Sequence, residues 1–304
     1  MLVSVQRFAV DGLGCARDTW ALYGGGLRLH MVRHRRMGAD DRLVPLLAFG
    51  RPAAGRNLVG LALEGRSYAR MRGRDGTDEL VGSATLAPGR GAFSARIEPD
   101  DEETSSLTIE LDPAVHGGPA LVAETGALAR PGRAGELAGA LRSAIELAWA
   151  DPAALPLVAQ AADTLGDALR AEGLPIPRLE PGASPPVSPS LRALARAVDL
   201  ALSQRGARPM LVDVESASGR TARTLERAFP ALCGLWGQPA VSFRDHARRA
   251  VLARACWAMT SPGATTEAVA RAVGFASPNA FCRAMASYGL PSPGRVRERF
   301  RALG

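Results

Sequence analysis

The sequence predicts an α+β protein whose first part is built from strands and whose last part is helical. Three observations favour this class. Short apolar runs separated by Gly, Pro and Asp fill residues 27–111, helical periodicity begins near residue 134, and two helix–turn–helix patterns follow in the last third. A chain of 304 residues is long enough for two domains, each with its own core.

The strand-like runs of residues 27–111 predict a small antiparallel β-barrel or sandwich. They are short, regularly spaced and bounded by turn-forming residues, as the strands of such folds are. The predicted strands are LRLHMVR, LVPLLAF, NLVGLALE, ELVGSATL, AFSARI and SSLTIEL.

Two helices are predicted after the strands, within residues 134–172. Apolar side chains recur at helical spacing at Leu137, Leu141, Ile145 and Ala148, and a second helix is predicted over residues 153–169. These helices either cover the barrel or form a dimer contact, and the sequence favours the two equally.

A proline-rich segment, EGLPIPRLEPGASPPVSPS, separates the predicted helices from the last third of the chain. Proline disfavours helix and favours an extended connector, so we place the domain boundary here. The predicted division is a domain of residues 1–172, a linker of residues 173–190 and a helical domain of residues 191–304.

The positive charge of the chain is concentrated in this helical domain. All 37 basic residues are arginine, and 17 of them lie in residues 191–304 against 7 acidic residues. Residues 1–190 hold the other 20 arginines against 23 acidic residues, so the net charge of +7 comes from the helical part. A basic helical module is typical of nucleic-acid binding, and the alternative is a solvated basic surface.

Several classes of protein find no support in the sequence. The four cysteines include no CxxC pair, which argues against a disulfide framework or a zinc finger. His30 and His34 lack carboxylate or cysteine partners at ligand spacing and flank Arg33, so we expect no metal and no other cofactor. No catalytic set is recognisable, so no enzyme is expected.

The location expected from the sequence is the cytoplasm. No apolar run is long enough to span a bilayer, and the N-terminal residues lack the layout of a secretory signal. We therefore expect no membrane partner and, for a nucleic-acid-binding protein, association with the nucleoid.

The downstream helix–turn–helix pattern is TTEAVARAVGFASPNAFCRAMASYGLPSPGRVR. Thr265 or Thr266 is expected to cap its first helix, and Gly274 to end that helix in the left-handed conformation. Ser277 and Pro278 are favoured at the N-cap and first position of the second helix, the reading helix of such a motif.

The reading helix has an apolar and a polar side. Phe281 and Met285, with Phe275 from the turn, are expected to face inward. Asparagine suits a paired contact with adenine, arginine suits guanine or phosphate, and alanine suits the methyl group of thymine. The alternative is the solvated surface of an ordinary helical pair. The residues left on the outward side are Asn279, Ala280, Cys282 and Arg283.

A weaker copy of the pattern lies upstream, around TARTLERAF. Thr221 is expected to cap its reading helix, Leu225 and Phe229 to face inward, and Pro230 to end the helix abruptly. The outward residues suit guanine, cytosine or phosphate, although they are also spaced as ordinary exposed helical neighbours. They are Arg223, Glu226 and Arg227.

One long helix, predicted from Val241 to Met259, joins the two patterns. At about 1.5 Å per residue it extends roughly 28 Å, which is close to the roughly 34 Å between successive major-groove faces of B-DNA. One chain could therefore place both reading helices in neighbouring grooves.

These motifs resemble the AraC/XylS family of bacterial transcription regulators over residues 190–300. The sequence departs from the family at Glu215, where a small alanine is usual, at Ser218, and at Val251, where an arginine is usual. The residues that carry the resemblance are Val269, Ala270, Gly274, Phe275, Phe281, Arg283, Gly289, Pro293 and Arg297, with Leu252, Ala255, Arg223, Leu225, Arg227 and Phe229.

The resemblance implies which residues contact DNA. Base contacts would come from Arg223, Glu226 and Arg227 in one groove, and from Pro278, Asn279, Cys282 and Arg283 in the other. Weaker phosphate contacts are expected from Thr221, Ser277, Arg295 and Arg297.

The resemblance also implies an N-terminal cupin-like barrel that senses a small molecule or mediates dimerisation, in a regulator that can be an activator. The expected partners are double-stranded promoter DNA, RNA polymerase, a small-molecule effector and a second copy of the chain. Two alternatives stay open: a small-barrel enzyme with a helical passenger domain, and an interaction protein that has lost operator binding.

Overall fold

The computed structural model describes most of the chain. The described residues are 1–24, 26–40, 57–64, 67–72, 78–82, 84–87, 94–97, 103–112, 115, 132–172, 178–179, 186–204, 208–238 and 240–302. They form an α+β protein with antiparallel sheets first and helices after them, as the sequence predicts.

The described strands form two antiparallel sheets. The strands are β1 (Leu2–Val10), β2 (Cys15–Gly24), β3 (Leu27–Arg35), β4 (Ala39–Asp40), β5 (Asn57–Glu64), β6 (Ser67–Arg72), β7 (Asp78–Gly82), β8 (Ala84–Ala87), β9 (Ser94–Ile97) and β10 (Thr104–Leu111). One sheet has the strand order β1-β2-β3-β10-β5-β8 and the other the order β4-β9-β6-β7.

The strand predictions need three corrections, the first of which is that β4 and β6 were not predicted. The β1–β2 hairpin precedes Leu27, where the predicted strands begin, although LVSVQRFAV alternates as a half-buried strand does. The run ELVGSATL is two strands, β7 and β8, which belong to different sheets. The predicted strand LVPLLAF lies outside the described residues.

The described helices fall into two groups in chain order. The first pair confirms the two helices predicted before the proline-rich segment, with Leu141, Ile145 and Ala148 buried. The helices are α1 (Gly132–Ala150), α2 (Leu155–Ala171), α3 (Pro189–Ser203), α4 (Leu211–Ser218), α5 (Ala222–Trp236), α6 (Phe243–Met259), α7 (Thr266–Ala272), α8 (Pro278–Ser287) and α9 (Pro293–Ala302). None of these helices is long and apolar enough to cross a membrane.

Helices pack against both faces of the six-stranded sheet at its β1–β2 end. Because side chains alternate along a strand, Val3, Val5, Trp20 and Leu22 lie on one face, where they form a buried cluster with α1 and α2. Leu2, at the other face, forms a second cluster with helices of the basic part.

Two apolar clusters therefore join the sheet to the helices after residue 186. Leu2, Ala21 and Tyr23 pack with α3, α5 and α6, while Val10 and Cys15 pack with α6, α7, α8 and α9. Residues on both sides of the predicted linker share these cores. The division into residues 1–172, 173–190 and 191–304 stays a prediction, and the packing gives a direct way to test it.

A buried carboxylate adds a polar link at the same place. Asp199 of α3 accepts hydrogen bonds from Ser4 Oγ (2.7 Å), Val5 N (3.1 Å), Gln6 Nε2 (3.1 Å) and Trp149 Nε1 (3.0 Å). Burial raises the pKa of Asp199 to about 7, although the four donors favour the ionised form. This side chain therefore fastens α3 to both β1 and α1.

Candidate nucleic-acid interface

The downstream helix–turn–helix has the local structure that its sequence predicts. Thr265 Oγ1 accepts a hydrogen bond from Ala268 N (3.1 Å) at the start of α7, so Thr265 is the cap. Gly274 has φ +80°, a left-handed conformation that glycine adopts without steric cost. Phe275 N then donates to Ala270 O (2.8 Å), which closes the turn.

The reading helix α8 also begins as predicted. Ser277 Oγ accepts from Ala280 N (3.2 Å), and Pro278 occupies the first turn. Phe281 and Met285 are fully buried, and the Phe275 ring lies 5.2 Å from that of Phe281. These contacts fix which side of the helix faces outward.

The outward side of α8 is open to solvent at its N-terminal end. Pro278, Asn279 and Arg283 are exposed, while Ala280 and Cys282 are half-buried. Within the part of the chain that the structure describes, no hydrogen bond or ion pair engages the Asn279 or Arg283 side chain. Both side chains are therefore free to meet a ligand, and their contact with DNA stays a prediction.

The upstream unit has the same layout but a different cap. Thr221 occupies the N-cap position of α5, yet its side chain caps no backbone N–H; its Oγ1 lies 3.1 Å from Thr224 Oγ1. Glu215 of α4 instead accepts a hydrogen bond from Ala222 N. A carboxylate is favoured at a helix N-terminus by the free N–H groups and the helix dipole. The departure from the usual alanine at Glu215 thus has a structural role.

The prediction that Pro230 ends the upstream reading helix is wrong. Helix α5 continues through Pro230 to Trp236, and its last turns bury Leu232, Cys233 and Trp236. An internal proline costs about 3 kcal/mol, whereas burying each large apolar side chain contributes roughly 1.5–3 kcal/mol. Burial of the last turns therefore outweighs the break, and the exposed side of the helix accommodates the ring.

The first turns of α5 present the polar face that was predicted. Leu225 and Phe229 are buried, whereas Arg223, Glu226 and Arg227 are exposed. None of these three charged side chains forms an ion pair with another described residue. These three charged side chains thus do not neutralise one another, and their charges can interact with a ligand.

The joining helix α6 is 17 residues long, about 26 Å, and begins at Phe243 because Ser242 caps it. Leu252 and Ala255, two of the residues that carry the family resemblance, are fully buried. Val251, which replaces the usual arginine, is also buried, in the cluster that holds the downstream unit. Helix α6 is thus a shared core element as well as a connection.

The four predicted phosphate contacts have different surroundings. Arg295 is exposed on α9, whereas Arg297 Nη1 donates to Ala264 O (2.9 Å) and is half-buried. The hydroxyl groups of Ser277 and Thr221 already take part in the interactions described above. Arg295 is thus the least engaged of the four.

Two arginines that lie against aromatic rings of the downstream unit were not predicted from the sequence. The Arg208 guanidinium stacks 4.1 Å from the centre of the Phe275 ring, and Arg248 lies 6.0 Å from that of Tyr288. Partial burial and the nearby Arg248 charge lower the pKa of Arg208. No sequence signal reveals this pair, since Arg208 precedes α4 and Phe275 follows α7.

Comparisons with known proteins give likenesses of low sequence identity and low TM-score. No family model matches the chain, and no curated protein sequence matches it. Among solved structures, the AraC-like transcriptional activator CuxR is 16% identical with a TM-score of 0.31, over 75% of this chain and 80% of that one. ToxT from Vibrio cholerae, bound to an unsaturated fatty acid, is 10% identical with a TM-score of 0.31, over 97% and 93% of the two chains.

The xylose-binding transcription activator XylR is 18% identical with a TM-score of 0.29, over 48% of this chain and 39% of that one. At such identities and scores the likenesses say nothing about function. The features of the chain that bear on its function are therefore the polar faces of α5 and α8.

Proposed function

We propose that the chain is a transcription regulator that binds double-stranded promoter DNA with sequence specificity, through α5 and α8. The observation that carries the proposal is the two-sided character of α8. Its apolar side is anchored by Phe281 and Met285, and its polar side presents Asn279 and Arg283, which have no hydrogen bond or ion pair to any other described residue. A rigid helix with free amide and guanidinium groups at its N-terminal end is suited to the major groove.

Each outward residue of α8 has a role in this proposal. Asn279 pairs with adenine, and Arg283 pairs with guanine or holds a phosphate. Pro278 and the half-buried Ala280 and Cys282 supply apolar contact, for which the methyl group of thymine is the natural partner.

Helix α5 reads the neighbouring groove with charged residues. Arg223 and Arg227 suit guanine or phosphate, and Glu226 accepts from the amino group of cytosine. The absence of ion pairs among these side chains, within the described residues, supports the assignment. Helix α6 sets the separation of the two reading helices.

Phosphate contacts would supply much of the affinity and make it fall steeply with salt. The candidates are Thr221, Ser277, Arg295 and Arg297, to which the structure adds Arg208 and Arg248. In this proposal the sheet responds to a small-molecule effector or supports a homodimer, RNA polymerase is a further partner, and the protein acts in the cytoplasm at the nucleoid.

Selection of duplexes from a random library by the full chain tests the proposal. We expect two short conserved blocks about one helical turn apart, one for each reading helix. Failure to enrich any sequence at moderate salt, with purified protein that is folded, would favour the interaction-protein alternative instead.

Asn279→Ala should relax specificity at one or two base pairs of one block, because a good paired contact discriminates by roughly 1–3 kcal/mol. Binding to duplexes carrying each base at those positions measures the effect. Ser287→Ala, an exposed position at the far end of α8, is the matched control. Equal losses on every duplex for Asn279→Ala would contradict its role in base recognition.

A further inference from the structure

A side chain of the N-terminal sheet contacts the C-terminal end of the upstream reading helix. Arg28 of β3 is buried, and its Nη1 lies 3.4 Å from Oε2 of Glu110, the residue directly opposite in β10. Glu110 is fully buried, so this ion pair lies inside the protein rather than on its surface.

The guanidinium occupies the place where a side chain at Gly237 would lie. A Cβ built on Gly237 would be 1.2 Å from Arg28 Nη2 and 1.7 Å from Cζ. Gly237 is the residue that ends α5, with φ +62°, and its N–H bonds to the carbonyls of Cys233 and Gly234. The backbone conformation therefore favours glycine here, and a side chain at this position would have to displace the Arg28 guanidinium.

A positive charge is electrostatically favoured at this end of a helix. The last carbonyl groups of a helix lack intrahelical partners and form the negative end of its dipole. The last turn of α5 has no basic residue of its own, so Arg28 provides the cation from another part of the chain.

A proline inside α5 makes the contact at the end of the helix more important for its position. Pro230 removes one hydrogen bond from the middle of the helix, between the outward residues of the first turns and the end held by Arg28. A helix weakened at its centre depends more on the contacts at its two ends, and these include the contacts with Glu215 and Arg28.

We propose that Arg28, held by Glu110, is a positioning residue that couples the sheet to the DNA-reading face of α5. This inference rests on the proposed function, because it concerns the orientation of a helix that reads DNA. It predicts that a disturbance at the Arg28–Gly237 contact affects the DNA block read by α5 and spares the block read by α8.

Gly237→Ala in the full chain is the primary test, with Gly263→Ala as its control. Gly263 also has a left-handed conformation, φ +74°, but a Cβ there would meet nothing within 4 Å. Both variants carry the backbone strain, and only Gly237→Ala carries the clash with Arg28. We expect Gly237→Ala to weaken binding to a selected two-block duplex about tenfold, within the range of ordinary coupling between sites.

Scrambled duplexes show which block is affected. The loss caused by Gly237→Ala should disappear when the block read by α5 is scrambled and persist when the other block is scrambled. Gly263→Ala should show no such selectivity. Equal weakening of all duplexes by Gly237→Ala would overturn the proposal, since it would indicate general destabilisation.

Arg28→Lys completes a double-mutant cycle. Lysine keeps a charge for Glu110 but removes the planar guanidinium, so Gly237→Ala should cost less in the Arg28→Lys background than in the wild type. Equal cost in both backgrounds would mean that the two residues are not coupled.

Hydrogen exchange separates this inference from the DNA proposal. Gly237→Ala and Arg28→Lys should each speed amide exchange in the last turn of α5 and leave α8 unchanged. This holds even if the wild-type protein selects no DNA sequence, in which case the proposed function fails alone. Unchanged exchange in α5 for both variants would overturn the coupling.

Discussion

The two helix–turn–helix units share one layout but are held in place in different ways. Downstream, Thr265 and Ser277 cap their own helices, and α8 ends after 10 residues. Upstream, Glu215 caps α5 from the preceding helix, and Arg28 of the sheet lies against its far end. The ends of α7 and α8 are thus fixed by residues next to them in the sequence, whereas the far end of α5 also contacts a residue of the distant N-terminal sheet.

Removal of the N-terminal sheet should produce the largest difference in stability between the two units. A chain of residues 186–304 loses the partners of two apolar clusters, among them Leu2, Tyr23 and Val10. Each large buried side chain contributes roughly 1.5–3 kcal/mol, so we expect a loss of several kcal/mol in the free energy of unfolding. Thermal denaturation and amide exchange measure it, with α5 losing more protection than α8.

A fragment of residues 186–304 that is as stable as the full chain would instead support the predicted boundary at residues 173–190. Equal loss of protection in α5 and α8 would remove the distinction between the two units.

The buried Asp199 should make stability depend on pH. Because the pKa of this carboxyl is raised to about 7 in the folded state, its contribution is present below about pH 4 and is lost as the pH rises to about 7. The loss amounts to up to about 4 kcal/mol. Asp199→Asn should remove this trend from denaturant unfolding curves measured across that range.

Buried histidines give the opposite trend, so the comparison must be between variant and wild type. Burial lowers the pKa of His30 to about 4 and that of His246 to about 3. Because the folded state disfavours protonation of these two side chains, the free energy of unfolding decreases as the pH falls below the usual histidine pKa of about 6.5. Parallel curves for wild type and Asp199→Asn would contradict the assignment to Asp199.

Pro230→Ala should stabilise the upstream unit, since it restores a backbone hydrogen bond inside α5 at an exposed position. We expect a gain of about 1–3 kcal/mol, reduced by the greater entropy of the unfolded chain. Denaturant unfolding measures the gain. Lower stability would contradict this expectation, because it would show that proline stabilises the folded helix by more than the hydrogen bond that it removes.

Removal of the N-terminal caps of α5 and α8 should have the smallest effect on stability, and it compares the two helices directly. Glu215→Ala and Ser277→Ala should each cost about 1 kcal/mol, the usual value of a lost N-cap interaction. Amide exchange should quicken at the start of α5 in the first variant and at the start of α8 in the second. Effects that spread to both helices would contradict independent capping.

Prediction from sequence succeeded where the signal was local. The cap at Ser277, the turn at Gly274 and the buried Phe281 and Met285 all follow from residue types at fixed spacing. It failed at Pro230, because the cost of proline is visible in the sequence and the compensating burial of Trp236 is not. The β1–β2 hairpin was overlooked although its alternating pattern could have revealed it.

The sequence alone determined the α+β class, the order of strands before helices and the polar sides of α5 and α8, because propensity, capping and periodicity act over a few residues. Tertiary structure alone decided that the sheet packs against the basic helices, that Asp199 joins three elements and that Arg28 meets Gly237. These contacts join residues far apart in the chain, and such pairs leave no periodic pattern in the sequence.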